Sequence, residues 1–289
     1  MRKQRIDVAA AGGLANRMRA VAAGVALAED AGAELRVLWS VCDELMGEFG
    51  DLFEAPPVRS LPFEVRSLRG AWGRFSVLPP GKRNLFLPAL LQAPKYGVRV
   101  YDNVNSEWYG EHPKELLRKV KDAGEGMGRN VLIFSGQSFY PFPEELYRNL
   151  FRFSAKVERR ARELQGDMQH FDYGMHIRQT DNHLSIANSP IEVFERKIED
   201  LLTENPKVRI FLATDSQEVK TRFGIKFGDA IRYNRRPAER STPEGMLDAA
   251  AEMLILSRSK GIFGSYWSSY SEAAAIIGGV PLEILKTGG

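Results

Sequence analysis

Apolar positions along the chain recur with two spacings, and the switches between them predict the elements. Ile6 to Ala11 is a short apolar run with Asp7 inside it, and Gly12-Gly13 follows at once. From Leu14 to Ala31 the apolar residues return at helical spacing, with Leu14, Met18, Val21, Val25 and Ala28 on one side. Ala22, Ala23, Gly24 and Ala26 are small enough to let that helix lie close on a sheet, and Gly32 stands where helices commonly end. Leu35 to Trp39 is strand-like again. Residues 4–39 therefore predict a βαβ unit with a glycine turn between its first strand and its helix.

The pattern is less regular from residue 42 to 130. Cys42 to Phe53 reads as a helix, after which Pro56, Pro57, Pro62, Pro79, Pro80, Pro88 and Pro94 break the periodicity. Arg66, Arg69, Arg74, Lys82 and Arg83 lie among Trp72 and Phe75. Such a tract is either a loop that meets a sugar or an anion or a solvated connection. Val98 to Tyr101 and Val131 to Ser135 predict strands, and Pro143 to Leu150 a helix.

The second half repeats the strand–helix rhythm clearly. Phe153 to Leu164 is helical, and Phe171, Tyr173, Met175 and Ile177 alternate as a strand that opens into the polar stretch His176 to Asn182. Ile191 to Leu202 is an amphipathic helix, with Ile191, Phe194, Ile198 and Leu201 on one face. Val208 to Ala213, Ala230 to Tyr233 and Gly261 to Phe263 predict further strands, and Thr242 to Ser257 and Tyr270 to Ile277 helices. This alternation predicts an α/β protein of two Rossmann-like domains with mostly parallel sheets, residues 1–145 and 146–289.

Composition narrows the function classes. The chain has 289 residues, 44% hydrophobic and 27% charged, as expected of a globular protein. A net charge of only +3 argues against a nucleic-acid partner, which asks for a concentrated basic face. Cys42 is the single cysteine, so neither an intrachain disulfide nor a cysteine-based zinc site can form. The basic start Met1 to Arg5 leads into a run interrupted by Asp7 and by glycines, and the longest apolar run, Val21 to Ala28, is too short for a bilayer. The expectation is a cytoplasmic protein without a membrane span. The sequence has no Asp-x-Asp, no His-x-x-x-His and no cysteine pair, so no metal is expected.

Candidate chemistry sits in the loops that follow strands. In open α/β sheets these loops gather at the carboxyl ends of the strands, where ligands bind. Gly12-Gly13 opens a helix whose first turn carries Asn16 and Arg17, an arrangement that either cradles a phosphate or is an ordinary tight turn. It lacks the third glycine of the dinucleotide pattern. His176 and Arg178 leave the central strand of the second half, and an arginine can grip a phosphate with two parallel hydrogen bonds. Thr214-Asp215-Ser216 leaves the next strand. Asp215 can accept from the N1–H and amine of guanine, or it can cap the following helix. Ser265 to Ser271 opens the last helix. Ser268 and Ser269 suit a phosphate at a helix start, while Ser269 with Glu272 equally matches a capping box. Arg232, Arg235, Arg236 and Arg240 read as further cations or as solvent-facing residues.

Four motifs in order resemble one known superfamily. Gly-Gly-Leu-Ala-Asn-Arg-Met-Arg-Ala, His-Ile-Arg-Gln-Thr-Asp, Ala-Thr-Asp-Ser and Ser-Tyr-Trp-Ser-Ser-Tyr-Ser-Glu are similar to motifs of the GDP-fucose-dependent fucosyltransferases, and Leu-Ile-Leu-Ser before Gly261 fits the same pattern. These include the α-1,6, nodulation, α-1,2 and protein O-fucosyltransferases. The resemblance runs from Arg5 to Leu285 and is patchy over residues 42–150. It implies a GT-B architecture, two Rossmann-like halves facing a cleft, with the donor mainly on the second half. It implies that Arg178 binds the β-phosphate, His176 positions the donor, Asp215 reads guanine, and Ser268 and Ser269 touch phosphates or base. Gly13 and Asn16 would reach in from the first half. The chain departs from the α-1,6 pattern in having Gln179 where those enzymes have a second arginine, and in having His183 but no acid over residues 182–190. That leaves Arg178 and His183 as the catalytic candidates.

The expected function is inverting, metal-independent transfer of fucose from GDP-fucose to a hydroxyl of a glycan or another acceptor, with no further cofactor. Donor contacts are expected from Gly12, Gly13, Asn16, Arg17, His176, Arg178, Thr214, Asp215, Ser268 and Ser269. The alternatives are a GT-B transferase using another nucleotide sugar, and a GDP- or nucleotide-binding protein without transfer.

Overall fold

The computed structural model describes residues 3–54, 63–70, 77–78, 92–102, 104–127, 130–168, 170–180 and 182–287. Trp72, Arg74, Phe75, Lys82 and Arg83 of the basic tract, the prolines from Pro56 to Pro88, and Asp181 fall outside the described residues. The chain divides into two compact units after Arg152, with Asp51–Glu54 belonging to the second.

The first unit holds a five-stranded parallel sheet: β1 (Arg5–Ala10), β2 (Glu34–Ser40), β3 (Phe63–Leu68), β4 (Tyr96–Tyr101) and β5 (Asn130–Ser135), in the order β3-β2-β1-β5-β4. Helix α1 (Leu14–Ala31) follows the glycine turn, and Gly32 ends it in the left-handed conformation. The charge inside β1 is fully satisfied. Asp7 is completely buried and accepts from Arg5 Nε at 2.8 Å, Arg36 Nη2 at 2.6 Å and the Tyr96 hydroxyl at 2.7 Å. A buried carboxylate with three donor side chains is a structural element of the sheet.

The expected helix over Cys42–Phe53 is reduced to one turn, α2 (Phe49–Leu52). Before it, Cys42 and Leu45 pair as an antiparallel bridge, and the indole of Trp39 donates to the Gly47 carbonyl at 2.8 Å. Gly47 and Gly50 lower the helix propensity of this stretch, so the tertiary anchor decides its path. Helices α3 (Ser106–Glu111), α4 (Pro113–Met127) and α5 (Glu144–Leu150) complete the described part of the unit.

The second unit repeats the plan. Its parallel strands are β6 (Tyr173–Ile177), β7 (Ile210–Thr214), β8 (Ile231–Tyr233), β9 (Ile262–Ser265) and β10 (Leu282–Leu285), in the order β10-β9-β6-β7-β8. The helices are α6 (Ala155–Gln165), α7 (His183–Asn188), α8 (Ile191–Glu204), α9 (Gln217–Phe227), α10 (Pro243–Ser257) and α11 (Ser269–Gly278). Met175, Ile177, Ile210, Leu212 and Phe263 of the sheet pack with Phe194, Ile198 and Leu201 of α8 and Phe223 of α9. This is the apolar face read from the sequence for α8. Among the described residues no helix is long and apolar enough to cross a membrane.

Each sheet reverses its strand order beside its central strand. From β1 the chain steps outward to β2 and β3, crosses to β4 at the far edge and comes back to β5 beside β1; from β6 it steps to β7 and β8, then crosses to β9 and on outward to β10. Loops leaving the two strands at such a reversal diverge and open a crevice at the carboxyl edge. In the second unit those are the loops after β6 and β9, which lead to β7 on one side and β10 on the other.

Candidate functional site

At the reversal in the second unit the ends of three strands line up. Ile177 of β6 is level with Thr214 of β7, and His176 with Gly264 of β9. The loop after β6 is pinned from every side. The Arg178 N–H donates to Ser265 Oγ at 3.0 Å, and Ser185 Oγ donates to the Arg178 carbonyl at 3.3 Å. The Gln179 N–H and the Thr180 hydroxyl both donate to the Asp215 carboxylate, at 2.8 and 2.7 Å. The side-chain amide of Gln179 donates to the Ser189 carbonyl at 3.1 Å. Gln179 therefore builds the loop in the position where the α-1,6 pattern has a second arginine.

These bonds fix the path of Arg178 and leave its side chain on a pocket. His176, Arg178, Asp215, Asn234, Arg240, Asp248, Glu252 and Tyr270 line it. His176 is 7% exposed, and its ring lies 4.7 Å from that of Tyr270. Ser268 Oγ stands 3.3 Å from its Nδ1. Burial holds the imidazole pKa down at about 4; Asp215 pulls it up and Arg178 pushes it further down. At neutral pH the ring is uncharged and keeps one acceptor nitrogen. Burial likewise raises the Tyr270 phenol, whose hydroxyl donates to the Ala249 carbonyl.

The floor of the pocket carries a carboxyl that the sequence reading did not single out. Glu252 of α10 is 9% exposed, and burial pushes its pKa up to about 7 against the opposing pull of Lys220 and an Asn234 hydrogen bond. Asn234 is oriented by accepting from the Arg236 N–H at 3.1 Å. Lys220 is buried with its Nζ on the Arg236 carbonyl at 2.6 Å, and burial lowers its pKa. The signal was available: Glu252 interrupts the apolar run Ala249 to Leu256, and a lone acid inside an apolar helix is buried and partnered or functional.

The remaining expected residues have distinct places. Asp215 lines the pocket while both carboxylate oxygens accept from the β6 loop. Thr214 Oγ1 accepts from the Ser216 N–H at 3.2 Å, within the turn that starts α9. Ser268 is the N-cap of α11 and makes no side-chain capping bond, so its hydroxyl is directed to His176; Ser269 begins the helix. His183 is exposed at the start of α7 and is not among the residues lining the pocket. Beside it the Asn182 amide donates to the carbonyl of Trp267 at 3.1 Å. Trp267 is 67% exposed and has φ of 56°, the only described non-glycine residue with positive φ. That conformation costs on the order of 1–3 kcal/mol.

Gly12, Gly13, Asn16 and Arg17 lie in the first unit and are described on their own. Gly12 adopts φ of 76°, and Gly13 caps α1 without a side-chain bond, so the turn brings backbone N–H groups to the carboxyl edge of that sheet. Asn16 is half-buried beside Gly12. Arg17 is 1% exposed. Its guanidinium donates to the Gly12 carbonyl at 2.7 Å and to the Ser40 carbonyl, and lies 5.2 Å from the Trp39 ring. It ties the turn to β2. Asp102, also missed in the sequence, ties the neighbouring loop by accepting from Ser106 Oγ at 2.7 Å, Ser135 Oγ and the Gly136 N–H.

No family model and no curated protein matches the chain. Solved structures do. A NodZ α-1,6-fucosyltransferase soaked with GDP-fucose is 16% identical with a TM-score of 0.63, covering 95% of this chain and 93% of its own. The fucosyltransferase NodZ from Bradyrhizobium is 17% identical with a TM-score of 0.60 over 95% and 93%. FUT1 of Arabidopsis thaliana in complex with GDP is 15% identical with a TM-score of 0.59, over 98% of this chain and 70% of its own. POFUT1 in complex with GDP is 13% identical with a TM-score of 0.55 over 98% of each. The two-sheet parallel α/β fold of this chain is the fold of these enzymes.

Proposed function

We propose that the chain is a glycosyltransferase that draws fucose from GDP-fucose. The observation that carries the reading is one pocket, at the strand-order reversal of the second sheet, holding both an arginine and a buried carboxyl. Guanine presents N1–H and an exocyclic amine side by side, and an ionised carboxylate can accept from both. Glu252, with Asn234 and neutral His176 beside it, suits that edge. Asp215 is occupied by the β6 loop, so we assign it to holding Gln179 and Thr180 in place. Arg178 and the first N–H groups of α11 suit the phosphates. The likeness to structures solved with GDP and GDP-fucose supports the same donor.

GDP is expected to raise the melting temperature more than ADP or UDP at equal concentration, because a ligand that binds only the folded chain stabilises it by mass action. Equal shifts from the three nucleotides would sink the choice of base. Release of fucose from GDP-fucose tests transfer itself. We further propose that no metal takes part: among the described residues no three His, Cys, Asp or Glu side chains are grouped to hold one. Turnover is expected to survive EDTA, and activity that vanished with EDTA and returned with Mg²⁺ or Mn²⁺ would overturn this. The inward use of Gln179 favours a second reading, a GDP-binding protein without transfer. Tight GDP binding with no donor turnover is its signature.

A further inference from the structure

Trp267 has no part in the donor pocket, yet it is the most conspicuous residue of the site's rim. The residue is 67% exposed, while its backbone adopts a left-handed conformation that residues other than glycine and asparagine rarely take. The indole lies outside the core, with its ring 6.0 Å from that of the neighbouring Tyr266, and glycine or asparagine would make the same turn with less backbone strain. The conformation is held from both sides. The Asn182 amide donates to the Trp267 carbonyl at 3.1 Å, and the N–H of the preceding Tyr266 donates to Ser189 Oγ at 2.8 Å. The next residue, Ser268, contacts His176 of the donor pocket at 3.3 Å. The indole is thus displayed one residue from the pocket on a fixed backbone. Leu184, 53% exposed on α7, presents a second apolar side chain in the segment that Asn182 ties to Trp267, and His183 stands between them in sequence.

A rigid, exposed aromatic face beside a polar rim fits one kind of partner. The C–H bonds on the face of a pyranose ring carry small positive charges that suit the negative face of an indole, while the ring's hydroxyls spread outward to polar groups. A peptide acceptor would ask for a groove with side-chain pockets, which the exposed Trp267 does not form. We propose that Trp267 is the platform on which a pyranose ring of the acceptor stacks, so that the acceptor is a saccharide. The assignment deepens the donor reading above and rests on it for the word acceptor, but the binding of a sugar face to Trp267 stands by itself.

The test uses the full chain with GDP present and two variants, Trp267→Gly and Trp267→Phe. Saturation-transfer NMR is read against methyl β-glycosides of glucose, galactose and N-acetylglucosamine and their β-1,4-linked oligomers. At least one saccharide is expected to receive saturation on ring C–H protons with the parent, to lose it with Trp267→Gly, and to keep most of it with Trp267→Phe. The affinity for that saccharide is expected to fall about tenfold or more in Trp267→Gly, as for removal of an aromatic anchor. The melting temperature of Trp267→Gly is expected to equal or exceed that of the parent, and its donor hydrolysis to stay within about twofold, because the glycine relieves strain and the pocket is untouched. A fall of the melting temperature would show a structural ring and overturn the proposal. So would saccharide binding that is absent in the parent or unchanged in Trp267→Gly. Absence of donor hydrolysis in the parent, with saccharide binding still lost in Trp267→Gly, would count against the transferase reading and leave the platform standing.

Discussion

Arg178→Ala is expected to fold normally and to lose about a hundredfold or more in turnover, on the order of 3 kcal/mol, the cost of removing one preorganised donor aimed at developing charge. Folding survives because the Arg178 backbone, not its side chain, holds the loop: its N–H is on Ser265 Oγ and its carbonyl takes Ser185 Oγ. The Asp215 bonds to Gln179 and Thr180 also remain. Charge on a β-phosphate grows as the glycosidic bond breaks, so the contact is stronger in the transition state than in the bound donor. Donor affinity should therefore fall less than rate. Arg178→Lys is expected to recover little, since an ammonium is a point charge and not a two-pronged donor. The control is Arg258→Ala, an exposed pair with Glu158 at 2.5 Å, which should leave turnover within a few-fold. A folded Arg178→Ala protein with full turnover would remove Arg178 from the mechanism.

The fold was legible because its two periods are strong. The glycine turn after β1, the apolar face of α8 and the strand ending at Ile177 were all visible as patterns, and their order dictated two parallel sheets. What could not be read was where a side chain would be satisfied. Arg17 and Arg178 look alike in sequence, each a cation shortly after a strand, yet Arg17 is buried in the first turn of α1 on the Gly12 and Ser40 carbonyls and Arg178 lines a pocket. Asp215 had the residue type for a base reader, but the loop before α7 takes both its oxygens. Glu252 went unread because its helix was recognised by its apolar positions, yet this acid among them is buried and lines the pocket. Edge strands β3 and β10 were missed for a simpler reason. They are short and half-exposed, and their alternation, Phe63 to Arg66 and Leu282 to Ile284, runs over too few residues to mark a strand.

Glu252→Gln is expected to weaken GDP binding by roughly a hundredfold, on the order of 3 kcal/mol, if the carboxylate accepts two donors from the base. It should also erase the preference for GDP over IDP, whose base lacks the exocyclic amine. The pH dependence gives an independent check. Burial raises the Glu252 carboxyl from 4.5 to about 7, so between those values the folded chain keeps a proton that the unfolded chain releases. Its contribution to stability is full below 4.5 and is lost as pH rises through 7. His176 runs the other way. Its pKa falls from 6.5 to about 4, so its contribution is full above 6.5 and is lost as pH falls toward 4. Across pH 4.5–6.5 the two slopes oppose each other, and the parent's stability should change little from this pair. Lys220 and Asp248 are the other charges acting on Glu252, the first pulling its pKa down and the second pushing it up. Removing Glu252 leaves the His176 slope alone, so Glu252→Gln should lose stability steadily on acidification where the parent does not, as urea titrations at several pH values would show. GDP binding to the parent must ionise Glu252, so it should release a proton and tighten as pH rises through 7, which calorimetry in buffers of different ionisation enthalpy detects. A Glu252→Gln protein with unchanged GDP affinity, and a parent whose GDP binding is flat across that range, would return the base contact to another residue of the pocket.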